Sequence, residues 1–369
     1  MRIALLESYY GGSHKAWADS YKTFSTLDIE LITLPPQFWK WRMQGAAITF
    51  ARLLQSKPDL ILASGMIDLS IFRALTYRHL GDVPTALYFH ENQLSYPQNR
   101  RQAHGWRYGF INYVSALTAD SNYFNSPFHL RDFMDQLPRL LKHFADYNEL
   151  DTIERIRAKS QVLPLGIDLR RFDQFELPSQ RAGPPLIVWN HRWEEDKNPD
   201  AFVHSLLQLA SEDIDFRVAI TGESFGQMPA AFQRLQAQLP NRIEQLGYLD
   251  SFADYAQLLW RADYVVSTAW QEFFGVSICE AIYCNCVPIL PDRLNYPDLL
   301  TEELRGKCLY TRDRLTAQMR RHLRGDLHVD LVPLRAKIAE FDWHVMAPRY
   351  DEKLHALAMS HHARLNRHH

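Results

Sequence analysis

Residues 1–24 of the 369-residue chain read MRIALLESYYGGSHKAWADSYKTF, and this opening stretch carries the pattern that decides the fold. The apolar run from Arg2 to Glu7 is typical of a buried strand, Gly11-Gly12 marks a turn, and His14 to Phe24 predicts a helix. Strand, glycine turn and helix in this order indicate a parallel α/β sheet, because parallel strands need a long crossover between them.

The same alternation continues along the chain. In the first half, further strands are predicted over residues 29–34, 60–63, 85–89, 116–120 and 161–164. Residues 172–185 lack periodicity and contain Pro, Ser, Gln and Gly, which favours a linker. The alternation then restarts, with predicted strands at residues 186–190, 216–221, 243–246, 264–267 and 287–290.

We therefore predict the α/β class, with two Rossmann-like, doubly wound parallel-sheet domains. The expected boundaries are an N-terminal domain over 1–171, a linker over 172–185, a second domain over 186–342 and a C-terminal helix within 343–369 that packs back on the first domain. Such domains bind ligands at the carboxyl ends of their strands, so a cleft between the two sheet edges is the expected site.

Composition narrows the class of protein. Hydrophobic residues are 46% and charged residues 23%, which excludes a disordered or coiled-coil chain. The net charge of -2 argues against a histone-like protein. Four Cys fit neither a disulfide framework nor a zinc spacing. We find neither a signal-peptide pattern nor an apolar run of 18 residues, so we expect a cytoplasmic protein without a membrane partner.

The most specific chemical motif is EFFGVSICE, residues 272–280. Glu272 is expected in a loop after a strand, and Gly275 permits a close approach of the backbone to a ligand. The helix predicted from about Val276 would direct its free N–H groups at a diphosphate. Glu280 can accept two hydrogen bonds from a vicinal diol such as a ribose. The ordinary alternative is a solvated helix start that carries acidic residues.

Three further motifs follow glycine turns or strands. In WNHRWEEDKN, residues 189–198, Arg192 and Lys197 suit a diphosphate, although a charged surface loop would have the same composition. YFHENQ, residues 88–93, places four polar side chains at a strand end, and His90 is the candidate substrate contact there. GGSH, residues 11–14, is a weak signal for a turn that binds phosphate or admits an acceptor.

These motifs resemble those of the retaining glycosyltransferases of family 4. The first half of the chain resembles the tRNA-queuosine mannosyltransferases, on four stretches: residues 1–20, 31–43, 89–97 (FHENQLSYP) and 108–126 (YGFINYVSALTADSNYFNS). The resemblance implies the GT-B architecture, GDP-mannose as donor, and the cyclopentene diol of queuosine in the anticodon loop of tRNA-Asp as acceptor. Guanine and uracil both remain open as the donor base on the residues alone.

The resemblance also implies roles for particular residues. Glu272 would contact the donor hexose and Glu280 the ribose. His90 would face the transferred sugar. The diphosphate would lie near Arg192, Lys197 and the amides of Phe274, Gly275 and Val276. Gly12, Gly222 and Tyr248 would lie near the nucleotide. The sequence departs from the family pattern at Phe273, where the family has a glycine.

The expected mechanism is displacement on one face of the sugar, with retention. Glu91 is the obvious candidate for a carboxylate nucleophile, but its neighbour His90 matches the family position better. We therefore expect the acceptor hydroxyl to enter as the diphosphate leaves. Asp213-Ile-Asp215 precedes a predicted strand, on the side of the sheet away from the cleft, so we expect neither a metal requirement nor a cofactor.

The acceptor side is basic and aromatic. Residues 92–119 contain no Asp or Glu and are interpreted as an RNA-binding loop. The first 180 residues carry a net charge of +2 and the remainder -4, so the basic excess lies in the half assigned to the acceptor. The predicted tRNA or acceptor contacts are Trp39, Trp41, Arg42, Glu91, Asn92, Arg100, Arg101 and Arg107.

Two other functions remain open. One is a family 4 enzyme that transfers another sugar to a lipid-linked or small-molecule acceptor. The other is a non-catalytic RNA-binding or sugar-nucleotide-sensing protein, which the joint presence of Glu272, Glu280, Arg192, Lys197 and His90 argues against. Fold alone does not separate these functions.

Overall fold

The structure, a computed structural model, describes residues 1–95, 105–143, 145–176, 183–224 and 226–365. The chain forms two compact units. Unit 1 comprises Met1–Asp168 together with the C-terminal segment that begins at Trp343, and unit 2 comprises Leu169–Asp342. The boundary between the two units differs from the predicted domain boundary mainly at residues 169–176, which belong to unit 2.

Unit 1 is built on a parallel sheet with the strand order β2-β1-β3-β4-β5-β6. Its strands are β1 (Arg2–Glu7), β2 (Asp28–Thr33), β3 (Leu60–Ser64), β4 (Thr85–Phe89), β5 (Ser121–Phe124) and β6 (Ser160–Val162). Its first six helices are α1 (Gly12–Phe24), α2 (Trp39–Leu53), α3 (Leu69–Leu80), α4 (Gly105–Thr118), α5 (Pro127–Leu141) and α6 (Thr152–Arg157). The central strands β3 and β4 are buried at every residue, as expected of a sheet covered on both faces.

Unit 2 repeats this plan with the strand order β12-β11-β10-β7-β8-β9. Its strands are β7 (Leu186–Trp189), β8 (Arg217–Ile220), β9 (Ile243–Leu246), β10 (Tyr264–Val266), β11 (Val287–Pro291) and β12 (Leu309–Tyr310). Its helices are α7 (Pro199–Ser211), α8 (Ala230–Gln238), α9 (Phe252–Arg261), α10 (Val276–Tyr283), α11 (Tyr296–Leu299), α12 (Glu302–Cys308), α13 (Leu315–Leu323) and α14 (Val332–Ala339). The predicted fold class, two doubly wound parallel sheets, is confirmed.

The last helix, α15 (Trp343–Leu365), belongs to unit 1. Trp343 is buried and stacks on Tyr21 of α1, with ring centroids 5.9 Å apart. Asp351 accepts hydrogen bonds from the Tyr21 hydroxyl at 2.9 Å and from the backbone N–H of Thr26 at 2.8 Å, which fastens α15 to the end of α1. Among the described residues, no helix combines the length and apolar character needed to cross a membrane.

One predicted strand is wrong. Residues 116–118 end helix α4, and strand β5 begins only at Ser121, five residues after the predicted start. The apolar run that suggested a strand is the buried end of the helix, where Ala116 and Ala119 are inaccessible. A short apolar run fits both structures locally, and packing decides between them. The predicted RNA-binding loop over 92–119 is also different in part, because its residues 105–118 form helix α4.

The start of the predicted linker is part of unit 2. Arg170–Phe175 forms a short 3₁₀ helix, and the buried Phe172 accepts a hydrogen bond from Trp260 Nε1 through its backbone oxygen at 2.8 Å. Arg171 therefore lies in unit 2 rather than at the end of the first domain. The remainder of the predicted linker from residue 177 to residue 182 lies outside the described residues.

The attachment of α15 to unit 1 is testable at Gly166. A Cβ atom at Gly166 would lie 2.4 to 2.5 Å from the ring of Trp343, so a side chain there must displace the indole. We expect Gly166→Ala to lower the free energy of unfolding by about 1–3 kcal/mol, measured by urea denaturation. Gly306→Ala on α12 is the control, because no atom lies within 4 Å of its Cβ position. Equal denaturation midpoints for both variants would contradict this account of the packing.

Candidate active site

The carboxyl edge of the unit-2 sheet borders a cavity of about 390 Å³. Its lining includes Arg171, Arg192, Gly222, Tyr248, Tyr255 and Glu280. Four of these six residues were predicted to bind a sugar nucleotide, although they are as far as 88 positions apart in the chain. The parallel topology brings them together, because every strand of the sheet ends at the same edge.

Glu280 is a buried carboxylate on the second turn of α10. Its Oε2 accepts a hydrogen bond from the Tyr255 hydroxyl at 2.8 Å, and its Oε1 lies 3.5 Å from Nη2 of Arg171. Burial raises the pKa of Glu280, while Arg171 and the Tyr255 hydroxyl favour the charged form. A carboxylate held in this way at a cavity wall can accept hydrogen bonds from two neighbouring hydroxyl groups.

The start of α10 is suited to bind an anion. Gly275, at the N-cap, has φ 101° and ψ 49°, a left-handed conformation that favours glycine. No side chain caps the first turn, so its N–H groups lack the partner that an N-cap side chain would supply. The preceding Phe274 is buried, and its backbone oxygen accepts a hydrogen bond from Asn295 Nδ2 at 2.8 Å. This hydrogen bond fixes the approach to the helix.

Lys197 and Glu272, 75 positions apart in the chain, lie side by side. The buried Lys197 Nζ donates to the backbone oxygen of Gln271 at 2.6 Å and lies 3.6 Å from Glu272 Oε2. A carboxylate oxygen of Asp196 is 3.1 Å away. The loop after β10 is therefore tied to the loop after β7 by a buried ammonium group.

The other predicted residues of unit 2 lie along the same edge. Arg192 has a half-exposed side chain and lies 3.1 Å from Glu194. Gly222 has φ 152°, and a Cβ atom there would lie 1.9 Å from the backbone oxygen of His191, so only glycine allows the loops after β7 and β8 to touch. Tyr248 is 61% exposed at the rim of the cavity.

Unit 1 gathers four ionisable side chains at the carboxyl edge of its sheet. Glu7, the last residue of β1, is completely buried and accepts hydrogen bonds from Ser64 Oγ at 3.1 Å and from the backbone N–H of Tyr9 at 2.8 Å. His14 bridges two carboxylates, with Nδ1 3.1 Å from Glu7 and Nε2 3.3 Å from Glu91. Burial opposes charge on His14, but Glu7 and Glu91 outweigh it and raise the pKa of His14 well above its usual value.

His90 follows β4 and is the fourth member of this group. Its ring contacts the rings of His14 and Trp17, with centroids 4.3 and 4.6 Å away. Burial and the neighbouring His14 and His129 lower the pKa of His90 well below its usual value. Its Nε2 is buried and has no hydrogen-bond partner among the described residues. A buried polar atom without a partner costs about 1–3 kcal/mol, so this nitrogen is suited to meet a ligand.

The cluster of Glu7, His14 and His90 has the spacing of a cation site, since one donor atom of each lies within 4.8 Å of the others. The hydrogen bonding argues for a different use. Both nitrogens of His14 face carboxylate oxygens, one of Glu7 and one of Glu91. A ring nitrogen that donates a hydrogen bond to a carboxylate has no lone pair to offer a metal. We therefore describe the cluster as a buried ion-pair network.

The predicted acceptor residues on α2 divide into buried and exposed side chains. Trp39 is half-buried against Tyr108, with ring centroids 5.1 Å apart. Trp41 is 60% exposed and lies over Gly45, where a Cβ atom would be 2.5 Å from the indole. Arg42 Nε donates to the backbone oxygen of Pro35 at 3.2 Å. Trp41 is thus the aromatic ring of this segment that is available for stacking.

The remaining acceptor predictions have different outcomes. Arg107 is exposed at the start of α4, beside Trp106, which is 45% exposed. Arg100 and Arg101 lie outside the described residues. Asn92 is completely buried, with Nδ2 donating to Asp132 at 3.1 Å and Oδ1 accepting from the backbone N–H of Leu94 at 2.9 Å. Asn92 therefore shapes the loop after β4. Contrary to the prediction, its buried side chain is not positioned to contact an acceptor.

Gly12 begins α1 in a left-handed conformation, with φ 51°. No atom of the described residues lies within 4 Å of the position of its Cβ, which leaves space for a ligand at the turn before His14. Three other residues of the two sites were not singled out from the sequence: Glu7, Arg171 and Tyr255. Glu7 offered the clearest signal, because a charged residue at the end of a buried strand needs a partner.

Solved structures of similar architecture include several sugar-transferring enzymes. Sucrose-phosphate synthase from Thermosynechococcus elongatus shares the fold with a TM-score of 0.69 and 14% identity, over 98% of this chain and 100% of that one. HepE of Anabaena, solved with UDP, has a TM-score of 0.68 and 14% identity, over 96% and 100% of the two chains. The family described as "Glycosyl transferases group 1" matches residues 171–340. The chain is a glycosyltransferase of GT-B architecture.

Sequence relatives define the family. The domain described as "tRNA-queuosine alpha-mannosyltransferase N-terminal" matches residues 2–167. The tRNA-queuosine alpha-mannosyltransferase of Drosophila melanogaster is 34% identical over 311 residues, which are 82% of each chain. A GDP-mannose:cellobiosyl-diphosphopolyprenol alpha-mannosyltransferase of Xanthomonas campestris is 24% identical over 57% of this chain and 56% of its own. The chain belongs to the tRNA-queuosine alpha-mannosyltransferase family.

The buried ammonium of Lys197 gives a stability prediction. Lys197→Met leaves the carboxylates of Asp196 and Glu272 without their shared counter-charge, so the free energy of unfolding should fall by about 3–5 kcal/mol at pH 7. Chemical denaturation measures this loss, with the exposed Lys22→Met as control. A Lys197→Met variant as stable as the control would show that the ammonium group does not hold these loops together.

Proposed function

We propose that the protein transfers mannose from GDP-mannose to the cyclopentene diol of queuosine in the anticodon loop of tRNA-Asp, with retention at the sugar. The observation that carries the proposal is the conjunction of two features in one chain. Unit 2 has a cavity with a buried carboxylate beside an uncapped helix start. Unit 1 is matched over residues 2–167 by the N-terminal domain of the queuosine family.

The donor roles follow from the chemistry of the unit-2 residues. Glu280 accepts the two ribose hydroxyls, and the first amides of α10 bind the diphosphate together with Arg192 and Lys197. Glu272 accepts hydroxyls of the hexose, beside Lys197. The Xanthomonas relative named for GDP-mannose supports this donor. These positive groups stabilise the diphosphate most strongly as its bond to the sugar breaks, because negative charge then develops on the diphosphate.

The proposed chemical step needs no carboxylate nucleophile. The acceptor oxygen bonds to the anomeric carbon on the face from which the diphosphate leaves, as the bond between that carbon and the diphosphate oxygen breaks, so the configuration is retained. The proton of the acceptor hydroxyl passes to the departing phosphate oxygen. The protein positions the two substrates and stabilises the leaving diphosphate through fixed positive groups. Lys197 and the helix start supply this stabilisation, so the proposal includes transfer without a metal ion or a cofactor.

Exposed aromatic and basic side chains of unit 1 provide the proposed RNA contacts. Trp41 and Trp106 can stack on unpaired bases, and Arg107 can bind a phosphate. A tRNA acceptor also fits our expectation of a cytoplasmic enzyme. Transfer to a lipid-linked acceptor is less well supported, because the relatives of that kind cover about half of the chain.

The direct test is a transfer assay in EDTA. The protein is incubated with queuosine-containing tRNA-Asp and with GDP-mannose or a UDP-sugar, and the digested nucleosides are weighed by mass spectrometry. We expect one hexose on queuosine with GDP-mannose, and none on the same tRNA carrying guanine in place of queuosine. If no donor adds a hexose to queuosine either in EDTA or with added Mn²⁺, the proposal is wrong. Activity that returns only with Mn²⁺ would refute the metal-free step alone.

The ribose contact is tested by Glu280→Gln. The amide keeps the size of the side chain but loses the charge-assisted hydrogen bonds, worth about 1.5–3 kcal/mol. The KM for GDP-mannose should rise about 10- to 100-fold while the KM for tRNA stays unchanged. In the wild type, the KM for the donor should rise as the pH falls, at a higher pH than an ordinary Glu would give, because the pKa of Glu280 is raised. Glu244→Gln, at a surface ion pair of β9, is the control.

The RNA contacts are tested by replacing Arg100, Arg101 and Arg107 together with Ala. Each phosphate contact contributes roughly 0.7–0.9 to the slope of log affinity against log salt. We expect weaker tRNA binding and a slope reduced by about two to three units, measured by fluorescence anisotropy. The exposed Lys22 and Arg78, replaced together by Ala, serve as control. An unchanged slope in the triple variant would place the RNA elsewhere on the protein.

A further inference from the structure

The two touching imidazoles of unit 1 have opposite surroundings. His14 lies between two carboxylates, at 3.1 Å from Glu7 and 3.3 Å from Glu91. His90, whose ring centroid is 4.3 Å from that of His14, has a buried Nε2 without a hydrogen-bond partner among the described residues. A second positive charge at this distance from the first is disfavoured, so the pair divides into one charged and one neutral ring.

This division decides what the cluster can bind. Glu7, His14 and Glu91 together carry a net negative charge, which repels a phosphate. The turn at Gly11-Gly12 that leads to His14 is therefore poorly suited to phosphate, one of the two uses considered from its sequence. Hydroxyl groups are suitable ligands instead, because a carboxylate accepts hydrogen bonds from them and a neutral imidazole can either accept or donate.

The four side chains of this cluster differ in their exposure to solvent. Glu7 is inaccessible, His14 and His90 are almost buried, and the side chain of Glu91 keeps 26% of its surface exposed. Glu91 is thus the end of the network that a substrate can reach. Its position depends on His14, which in turn is anchored by Glu7 at the end of β1.

We propose that His14 is a positioning residue for the acceptor: held by Glu7, its imidazolium fixes the carboxylate of Glu91 beside the neutral ring of His90, and these two groups receive the vicinal diol of the acceptor. The proposal rests on the proposed function, because the diol is that of queuosine. Glu91 accepts a hydroxyl hydrogen, and His90 Nε2 meets the neighbouring hydroxyl. His14 itself does not contact the substrate.

Other ionisable groups lie on the elements that pack against α1, including His344, Arg349 and Lys353 on α15. The elements that pack against α1 contribute Glu7 and the ring of Tyr9 from β1 and its loop, Glu91 and His90 from the loop after β4, Asp28 and Glu30 from β2, and Tyr350 and Asp351 from α15. Asp351 is occupied by Tyr21, Ser25 and Thr26, and Glu30 lies 3.5 Å from the hydroxyl of Ser56. The charge of His14 therefore depends on Glu7 and Glu91, as the cause of its raised pKa indicates.

The charge of His14 is measured first, without turnover. In the full-length protein labelled with ¹⁵N-histidine, the His14 ring should stay doubly protonated to a higher pH than free histidine in the same buffer. A raised pKa means that the charge is present at low pH and is lost as the pH rises through it. Glu7→Gln should move this loss to lower pH. A His14 that titrates at or below the pH at which free histidine does, or that binds Zn²⁺ or Mn²⁺ at one equivalent, would overturn the proposal.

The positioning role is measured by kinetics. His14→Gln should raise the KM for queuosine-tRNA at least 10-fold, with a smaller change in kcat and an unchanged KM for the donor. In the wild type kcat/KM for tRNA should fall at alkaline pH as His14 loses its proton, and this limb should be absent from the variant. His79→Gln is the matched control. A wild-type KM and pH profile in His14→Gln would overturn the proposal.

Two outcomes need a second variant or readout. If His14→Gln does not fold, Glu91→Gln provides the same kinetic test at the exposed end of the network, where a loss of acceptor affinity is expected and wild-type affinity would refute the proposal. If the wild type modifies no queuosine, the acceptor role fails with the proposed function. The titration of His14 then separates the two failures, because it reports the charge assignment independently of transfer.

Discussion

The constraint on which both units depend is the burial of charge at the carboxyl edge of a parallel sheet. Every strand of such a sheet ends at one edge, so polar loops from distant parts of the chain meet there. A charge moved out of water costs several kcal/mol unless it is paired and hydrogen-bonded. Lys197 meets this requirement in unit 2 with the Gln271 backbone oxygen and two carboxylates. The pairing fixes the loop that leads into α10.

Unit 1 satisfies the same constraint with the charges reversed, because the deeply buried group is a carboxylate and its partner is positive. Its buried carboxylate, Glu7, belongs to the sheet itself, and the positive partner, His14, comes from the helix after the glycine turn. Because Glu7 and Glu91 raise the pKa of His14, the network should keep its positive charge to a higher pH than an ordinary histidine would allow. The two sites thus share a principle but differ in the ligand that we propose for each: hydroxyls in unit 1, an anion and a diol in unit 2.

Much of the fold could be predicted from the sequence, because strands of a covered sheet are short apolar runs. The strand at residues 85–89 and the helix at residues 252–261 lie where the pattern placed them. The strand expected at residues 116–120 failed, since a run of that length fits the buried end of α4 equally well. The predicted end of the first domain at residue 171 was wrong for a different reason. The segment around it lacks periodicity, so nothing in the pattern indicated that Phe172 anchors this segment in unit 2.

The site was predictable only in part. Motifs located Glu272, Arg192, Lys197 and His90 in loops after strands, where topology does bring groups together, and Glu280 on the helix that follows one of these loops. Local pattern could not show that Arg171 and Tyr255 hold Glu280, or that His14 joins Glu7 to Glu91, because these are contacts between residues up to 109 positions apart. Local pattern also could not show that the side chain of Asn92 is hydrogen-bonded within its own loop, to the backbone N–H of Leu94.

The most direct measurement of the central claim is calorimetric binding of GDP and 2′,3′-dideoxy-GDP to the wild type and to Glu280→Gln. If the buried carboxylate of Glu280 receives the ribose diol, the wild type should bind GDP at least 10-fold more tightly than the dideoxy analogue, and the variant should bind the two nucleotides almost equally. The same preference for GDP in both proteins, or no preference in the wild type, would contradict this account of the donor site.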